Sequence, residues 1–266
     1  MNWGKMKTLF IYLFVALNAV LLTFYIYTVQ KNKTEIVQEK EIIERSMKND
    51  NITVEENATK RDNLGYVNVT ISDLKDIRKE DSGLKYEVEN VDKTSTLKVS
   101  SENAITNVNK GSYRAELDSF LLEKMKLSAN YIFSSYNSSK NEVIFEQQID
   151  SFRVFSNKNA RIVFSVESNG DIKNFTLTSV SNIRKDKNEA LVPSSQAINR
   201  LYHEDLIPKN CRVRTTLGYY TYISQTENQV LIPTWNVEIS DKDGQISNYY
   251  VDAINLNVLN RKGHSS

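Results

Sequence analysis

The sequence predicts an α+β protein that is anchored by one N-terminal transmembrane helix. Three observations lead to this prediction. A run of 22 uncharged residues, Thr8 to Val29, lies at the start of a 266-residue chain. Two later segments carry apolar residues at helical spacing, and each precedes several short runs in which apolar and polar residues alternate. Helices that pack on one face of an antiparallel sheet define the α+β class.

The first element is the apolar run "TLFIYLFVALNAVLLTFYIYTV". A helix needs about 20 apolar residues to cross the bilayer core. The apolar region of a signal peptide is shorter, about 7–15 residues, and ends in a small-residue cleavage site. This run is long enough to span and ends in bulky aromatic residues. We therefore predict a retained transmembrane helix over residues 8–29, preceded by a cytoplasmic tail over residues 1–7.

The charges that flank this span do not set its orientation. Lys5 and Lys7 precede the apolar run, but Lys31 and Lys33 follow it, so the positive residues are balanced. Long domains cross the membrane largely regardless of charge, and the tail before the span is very short. We therefore expect a single-pass protein of the cell membrane, with a cytoplasmic N-terminus and a large extracytoplasmic domain.

Two polar residues inside the span are hypothesised to contact a partner. Asn18 lies mid-span, where an amide needs a hydrogen-bond partner, often on another transmembrane helix. The alternative for Asn18 is a single polar residue that the membrane tolerates. Thr23 is expected to bond its own backbone through its hydroxyl, and it is the second hypothesised contact residue.

Residues 30–63 are predicted to form a helical stalk or linker. The segment is charged, contains no Gly or Pro, and favours a helix as far as about Met47. Ile36, Ile43 and Met47 fall roughly on one face, which is fewer apolar positions than three or four heptads would supply. A solvated stalk is the prediction, and a coiled coil with a partner is the alternative.

Residues 64–110 predict a short β-rich region. Strand-like runs occur at Tyr66–Ile71, Leu84–Val91 and Thr94–Ser100. In the middle run, apolar residues alternate with Lys and Glu, which is typical of a half-buried strand.

Residues 111–190 predict a first module, a helix packed on an antiparallel sheet. Ser112 is the expected N-cap of "SYRAELDSFLLEKMK", in which apolar residues recur at helical spacing. Asn169-Gly170-Asp171 predicts the turn before the last strand. The strand-like runs of this module are Asn130–Tyr136, Glu142–Gln147, Ile149–Phe155, "RIVFSVE" and "FTLTSV".

Residues 191–260 predict a second module with the same plan. Ser194 or Ser195 is expected to cap a helix that Pro208 stops, and Gly244 is expected in the last turn. The two expected caps, Ser112 and Ser194, are 82 residues apart, and the turn glycines are 74 apart. In the strand around Trp235, the apolar face holds Trp235, Val237 and Ile239, and the polar face holds Asn236, Glu238 and Ser240.

Residues 261–266, after the second module, are predicted to be a disordered tail.

The composition argues against several classes of function. The 34 Lys and Arg and 33 Asp and Glu residues are interspersed, for a net charge of +1. Nucleic-acid-binding proteins carry a basic patch or stripe, and none occurs here, so no nucleic-acid partner is expected. Cys211 is the one cysteine in the chain, so no intramolecular disulfide can form. We interpret Cys211 as a structural residue.

The sequence predicts no catalytic residue, no metal ligand and no cofactor-binding residue. His203 and His264 are the two histidines, and no ligand spacing for zinc occurs. Asp241 and Asp243 bracket a turn, where Asp is favoured for backbone reasons. Three Ser-x-x-Lys pairs lack the companion motifs of penicillin-recognising enzymes. The chain is therefore predicted not to be an enzyme. The three pairs are Ser72–Lys75, Ser82–Lys85 and Ser95–Lys98.

Three features together resemble a known family. The N-terminus "MNWGKMKTLFIYLFVALNAVLL" places Trp3 and two lysines before a span interrupted by Asn18. A charged stalk follows, with a cysteine-poor outer domain, and the chain ends in "WNVEISDKDGQISNYYVDAINLNVL". The whole chain resembles the YycI family of low-GC Gram-positive bacteria, most closely its staphylococcal members. The ending also resembles a PepSY module, except that Asn255-Leu256 stands where Thr-Gly is usual.

The resemblance implies a non-enzymatic regulator. YycI-like proteins associate with a companion, YycH, and with the sensor histidine kinase WalK (also called YycG) of the two-component system that controls cell-wall metabolism. Their transmembrane helix is implicated in that contact. The expected partners are this kinase, a YycH-like bitopic protein and the lipid bilayer. The alternatives are a bitopic cell-division or wall scaffold and an anchored wall enzyme or PepSY-like inhibitor of such an enzyme.

Overall fold

The computed structural model describes residues 3–55, 61–75, 83–91, 94–127, 130–221, 223, 227–260 and 264–265. The side chains of 3–5, 29–40 and 264–265 are not part of the description. Parts of the predicted tails and stalk, and Ser82 of one Ser-x-x-Lys pair, therefore lie outside the described residues. The chain divides into two compact units, Met1–Thr53 and Val54–Ser266.

Within the described residues the elements are three α-helices and a series of mostly short strands. The helices are α1 (Trp3–Asn49), α2 (Tyr113–Glu123) and α3 (Ser194–His203). The strands are β1 (Thr53–Glu55), β2 (Asn63–Leu64), β3 (Val67–Ile71), β4 (Leu84–Val91), β5 (Thr94–Ser101), β6 (Thr106–Asn107), β7 (Tyr131–Asn137), β8 (Glu142–Ile149), β9 (Phe152–Phe155), β10 (Arg161–Val166), β11 (Asp171–Leu177), β12 (Val180–Lys185), β13 (Glu189–Ala190), β14 (Arg212–Tyr220), β15 (Asn228–Ser240), β16 (Ile246–Asp252) and β17 (His264–Ser265).

The first unit is dominated by α1, which continues for 47 residues. Its segment Met6–Thr28 is long and apolar enough to cross a membrane. The helix continues beyond this segment to Asn49. The role of residues 30–63 as a stalk stays a prediction. Ile43 and Met47 are buried, at 5% and 7% exposure.

The second unit is built around one hydrogen-bonded sheet. Its strands follow the order β12-β3-β15-β14-β9-β8-β10-β11-β5-β4, with β16 beside β15 and β7 beside β8. The neighbours in this order are antiparallel except for β9 and β14, which are parallel. Since β9 lies in the first predicted module and β14 in the second, the backbone pairing continues from one to the other. The division into two modules stays a prediction.

Helix α2 covers one face of the sheet in the first half of this unit. Leu117 and Leu121 of α2 are fully buried, as their helical spacing predicts. They belong to the same core cluster as Phe145, Phe164 and Phe175. The centroid of the Phe164 ring lies 5.6 Å from that of Phe145 and 4.9 Å from that of Phe175, a favourable range for aromatic pairs. The alternating pattern of the strands thus builds a core against the helix.

Helix α3 buries Ala197, Ile198 and Leu201. Trp235, on β15, is also buried and donates a hydrogen bond from Nε1 to the carbonyl oxygen of Val192, at 2.9 Å. The tryptophan thereby fixes the chain just before α3, since a buried indole N–H needs a partner.

Both predicted ends of α3 differ from the structure. The N-cap is Pro193, whose extended backbone leads directly into the helix, so neither serine takes that position. The helix ends at His203, well before Pro208. Asp205 adopts a positive φ of 55°, and the N–H of Leu206 bonds to Leu201 O at 3.0 Å. This is a Schellman ending, which stops a helix without proline.

The predicted strand Ile149–Phe155 is interrupted by a tight turn. Asp150 and Ser151 both have positive φ values, 51° and 69°, and Ile149 pairs with Phe152. Two consecutive positive φ values are typical of a type I′ hairpin, whose twist matches the flanking strands. The predicted turns at Gly170 and Gly244 are present, with φ values of 88° and 79°.

Part of the predicted disordered tail is a strand. His264 and Ser265 form β17 and pair with Asn248 and Ser247 of β16. The unpaired N–H and C=O groups of an edge strand offer this kind of addition.

The parallel contact between β9 and β14 requires a glycine. Gly218 on β14 pairs with Arg153 on β9. A Cβ atom at Gly218 would lie 2.5 Å from the carbonyl oxygen of Arg153 and 2.5 Å from Cε2 of Phe155. Neither atom is the end of a flexible side chain, so a methyl group would push the strands apart.

We therefore expect Gly218→Ala to destabilise the protein by about 1–3 kcal/mol, the usual cost of overpacking. The measurement is denaturant unfolding of the full-length protein in detergent. Gly111→Ala is the control, because a Cβ there meets nothing within 4 Å. We expect the control to change stability by less than about 0.5 kcal/mol. Equal effects of the two changes would contradict the role of Gly218.

Candidate functional site

The two hypothesised contact residues of the span both bond to their own helix. Asn18 donates from Nδ2 to Phe14 O at 2.8 Å, and Thr23 donates from Oγ1 to Ala19 O at 2.8 Å. The expected backbone bond of Thr23 is therefore confirmed. A hydroxyl has one donor, and this bond uses it. The amide of Asn18 has two N–H donors and one carbonyl acceptor, so its oxygen and second N–H have capacity for a partner.

The structure does not bring Asn18 and Thr23 together on one face. Five residues at about 100° each place them about 140° apart around the helix axis. Thr23 lines a shallow hollow with Ala19 and Tyr27, and Asn18 lies away from it. Ala19 and Thr23 are small residues one turn apart, a pattern that lets helices approach closely. The span therefore presents a polar face at Asn18 and a small-residue face at Thr23.

A polar pocket of about 300 Å³ lies in the second unit, on the face of the sheet opposite the α2 core. We call it the Asn236 pocket. Its lining includes Glu146 from β8, Arg153 from β9, Arg161 from β10, Asn236 from β15 and Tyr250 from β16. The alternation of each strand sends these polar residues to one face and their apolar neighbours to the other. The pocket exists because β9 and β14 bring the two parts of the sheet side by side.

Glu146 is held in the floor of this pocket by several donors. Its Oε1 accepts the backbone N–H of Ser156 at 2.7 Å, and its Oε2 accepts Ser134 Oγ–H at 3.0 Å. Arg153 Nε lies 3.7 Å from Oε2, and Arg153 also donates to Phe133 O at 3.0 Å. Each carboxylate oxygen of Glu146 therefore accepts a hydrogen bond, and the Arg153 guanidinium forms an ion pair with one of them.

Burial nevertheless has the largest effect on the pKa of Glu146. The side chain is about nine-tenths buried, and desolvation raises the pKa of its carboxyl group above the ordinary value. Arg153 and the Ser156 N–H oppose this rise in pKa. Beside it, Ser156 Oγ and Tyr250 Oη are 2.7 Å apart, and burial raises the pKa of the Tyr250 phenol.

Asn236 differs from the other buried polar residues of the described chain. The residue is 9% exposed, and its Oδ1 is the single buried side-chain oxygen or nitrogen without a hydrogen-bond partner among the described residues. Such an atom in a native structure calls for an explanation, because its desolvation is uncompensated.

No pattern in the sequence indicates this pocket. Asn236 and Glu146 occupy polar positions of alternating strands, which is the ordinary pattern of a solvent-facing side. The pattern identifies the face of a residue but does not reveal which other strands cover that face.

The other chemical groups that the sequence singled out lie elsewhere. Cys211 is buried, and burial raises the pKa of its thiol, which fits a structural role. The lysine of each Ser-x-x-Lys pair contacts a carboxylate: Lys75 lies 3.3 Å from Asp73, Lys85 lies 3.3 Å from Glu102, and Lys98 lies 2.6 Å from Glu89. The hydrogen bond to Glu89 raises the pKa of Lys98, the opposite of what a general base needs. The described residues include no group of three His, Cys, Asp or Glu that could hold a metal ion.

The raised pKa of Glu146 predicts how stability changes with pH. A carboxyl group whose pKa is higher in the folded state than in the unfolded state, where it is about 4.3, stabilises the fold at pH values below about 4.3. This contribution is lost as the pH rises through the pKa of the folded state.

The variant Glu146→Gln removes this titration, because a glutamine side chain does not ionise. We expect the stability of the wild type relative to Glu146→Gln to fall between pH 4 and pH 8, measured by denaturant unfolding of the full-length protein. Asn90→Gln, a neutral change on β4, is the control and should give a constant difference. A difference for Glu146→Gln that grows with pH would show that Arg153 dominates instead.

Comparisons with known proteins give one family. A family model described as YycI protein matches residues 30–254. A search of curated proteins finds no match. Among solved structures, an uncharacterized protein from Eubacterium rectale is similar with a TM-score of 0.46 and 8% identity, over 79% of this chain and 90% of that one. The C-terminal domain of Bacillus megaterium YpeB is similar with a TM-score of 0.44 and 12% identity, over 86% of this chain and 96% of that one.

The YycI family model spans well over half of the 266 residues, including α2, α3 and the strands that line the Asn236 pocket. It starts at residue 30 and so matches the chain independently of the apolar run on which the predicted anchor rests. The resemblance drawn from the N-terminus, the plan of the chain and its ending is therefore confirmed, and the chain belongs to the YycI family.

Proposed function

We propose that this protein is a non-enzymatic, membrane-anchored regulator of a sensor histidine kinase of the WalK/YycG type. It acts with a YycH-like bitopic protein, through contacts in the membrane and through its extracytoplasmic domain. The observation that carries this proposal is the match of residues 30–254 to the YycI family. Family membership and one candidate span fit a membrane-anchored regulator of a two-component system.

The span supports a contact within the membrane. An amide in hydrocarbon gains about 0.6–2 kcal/mol from a hydrogen bond to another helix. Asn18 has an oxygen and an N–H available for such a bond beyond the one it makes to Phe14. A regulator at this position can bias the kinase only by binding its two signalling states unequally.

The two faces of the span support two different partners. One helix cannot readily contact residues about 140° apart on another helix. We assign the Asn18 face to the kinase, because a polar bond is specific in orientation. The Ala19–Thr23 face is assigned to the YycH-like protein, because small residues allow close packing of a constitutive companion.

Copurification from membranes tests this proposal with two matched variants. Tagged full-length protein is captured from cells that make the kinase and the YycH-like protein, and both are quantified. We expect Asn18→Leu to weaken recovery of the kinase about 3–30-fold, the equivalent of the lost hydrogen bond. We expect Thr23→Leu, which adds bulk to the opposite face, to lower recovery of the YycH-like protein instead. Each variant is the control for the other.

The outcomes separate the parts of the proposal. Absence of a histidine kinase from the wild-type capture would overturn the regulatory function. Unchanged recovery of both partners with both variants would overturn contact through the span. Equal loss of both partners with either variant would overturn the assignment of two faces.

A further inference from the structure

We propose that the Asn236 pocket binds a neutral, hydroxyl-rich ligand of the size of one sugar ring. The pocket lies between β8–β9 on one side and β15–β16 on the other, and its polar floor lacks one hydrogen-bond donor. This inference does not depend on the kinase or on the span, so it can fail while the proposed function holds.

The missing donor is at Asn236. Its Oδ1 has no partner, although the residue lines an open pocket. The terminal torsion of an asparagine is broad, so the amide can turn toward a group that enters the pocket. A ligand that donates a hydrogen bond would satisfy an atom that the folded chain leaves unsatisfied.

The two charged side chains of the pocket floor, Glu146 and Arg153, already form an ion pair with each other. A charged ligand is therefore not needed to balance them. Glu146 accepts from Ser156 and Ser134 and faces Arg153 at 3.7 Å. At the rim, Lys140 and Arg161 are positive and Glu238 is negative. The five charged groups of the lining thus nearly balance.

The chemistry of the lining separates three kinds of ligand. A carboxylate has no hydrogen to donate to Asn236 at neutral pH and would lie close to Glu146. An ammonium group could donate but would meet Lys140, Arg153 and Arg161. A hydroxyl both donates and accepts, so one ring with several hydroxyls can donate to Asn236 and accept from Arg161.

The dimensions of the site fit a small ligand that extends along the sheet. A volume of about 300 Å³ lies at the lower end for small-molecule sites. Arg161 also lines a neighbouring hollow of about 700 Å³, together with Thr96, Thr176 and Thr178. A second hydroxylated unit joined to the first therefore has room beside Arg161.

The test measures binding of three matched rings to the full-length protein in a detergent that has no sugar head group. Glucose is neutral, glucosamine is cationic and glucuronate is anionic. By ligand-observed NMR titration, we expect glucose to bind with a dissociation constant on the order of 1 mM, as suits one small ring. We expect glucosamine and glucuronate to bind more weakly.

Two variants and one control locate the binding. Asn236→Leu should weaken glucose binding at least about tenfold without lowering the unfolding temperature, because it removes an unpaired acceptor rather than a bond. Arg161→Met, at the shared rim, should weaken binding and stands independently if Asn236→Leu does not fold. Asn90→Leu, an exposed change on β4 away from the pocket, should bind as the wild type does.

Three results would overturn the proposal. One is the absence of saturable glucose binding up to about 50 mM, well above the expected constant. Another is wild-type affinity in both Asn236→Leu and Arg161→Met. The third is a clear preference for glucuronate or glucosamine, which would make the pocket a site for a charged ligand.

Discussion

The backbones of β9 and β14 lie side by side in the same direction, with Gly218 opposite Arg153. This contact depends on the absence of a side chain at Gly218, and it joins strands that are far apart in sequence. Arg153 reaches Glu146 and Phe133 O from the same strand, and Ser156 follows directly after β9. A displacement of β9 would therefore move the guanidinium and the N–H that hold Glu146 in the floor of the Asn236 pocket.

Buried amides next to this contact show what structural polar residues look like in this fold. Asn157 is fully buried and donates to Gln229 Oε1 at 2.8 Å, and its own Oδ1 accepts the N–H of Asn159 at 2.9 Å. Gln147 both donates to Val180 O at 3.0 Å and accepts from Val180 N–H at 2.9 Å. Each bond offsets the cost of removing an amide from water. Asn236 lacks such a bond on its oxygen, and this contrast is the observation from which the ligand site is proposed.

The sequence predicted those features that depend on neighbouring residues. The apolar run and the Gly- and Pro-free segment after it predict the helix of α1, and the strand-like runs predict β4, β5 and β10 close to their observed bounds. The features that depend on distant residues were not predictable in this way. Alternation identifies which side of a strand is buried but not which strand pairs with it, so the β9–β14 and β3–β15 pairings have no local signal. Asp150 and Ser151 form a tight turn without the glycine that usually marks one.

The same limit explains why the Asn236 pocket was missed, whereas the polar residues of the span were noticed. Asn18 conflicts with its local surroundings, because an amide in an apolar run stands out in the sequence alone. Asn236 agrees with its local surroundings and conflicts only with the fold, where the approach of other strands buries it. A polar residue of this second kind can be recognised only when the partners of every buried atom are known.

The two proposals are connected by thermodynamics rather than by an observed path. If the protein biases a kinase between two states, its own conformations must differ in affinity for those states. A ligand in the Asn236 pocket would influence the kinase only if it also bound these conformations unequally, and the kinase would then change the ligand's affinity by the same factor. A ligand with equal affinity for both would occupy the pocket without effect on signalling. Binding at Asn236 and regulation through Asn18 are therefore separate properties, and their coupling is a third quantity, the ratio of ligand affinities with and without the kinase.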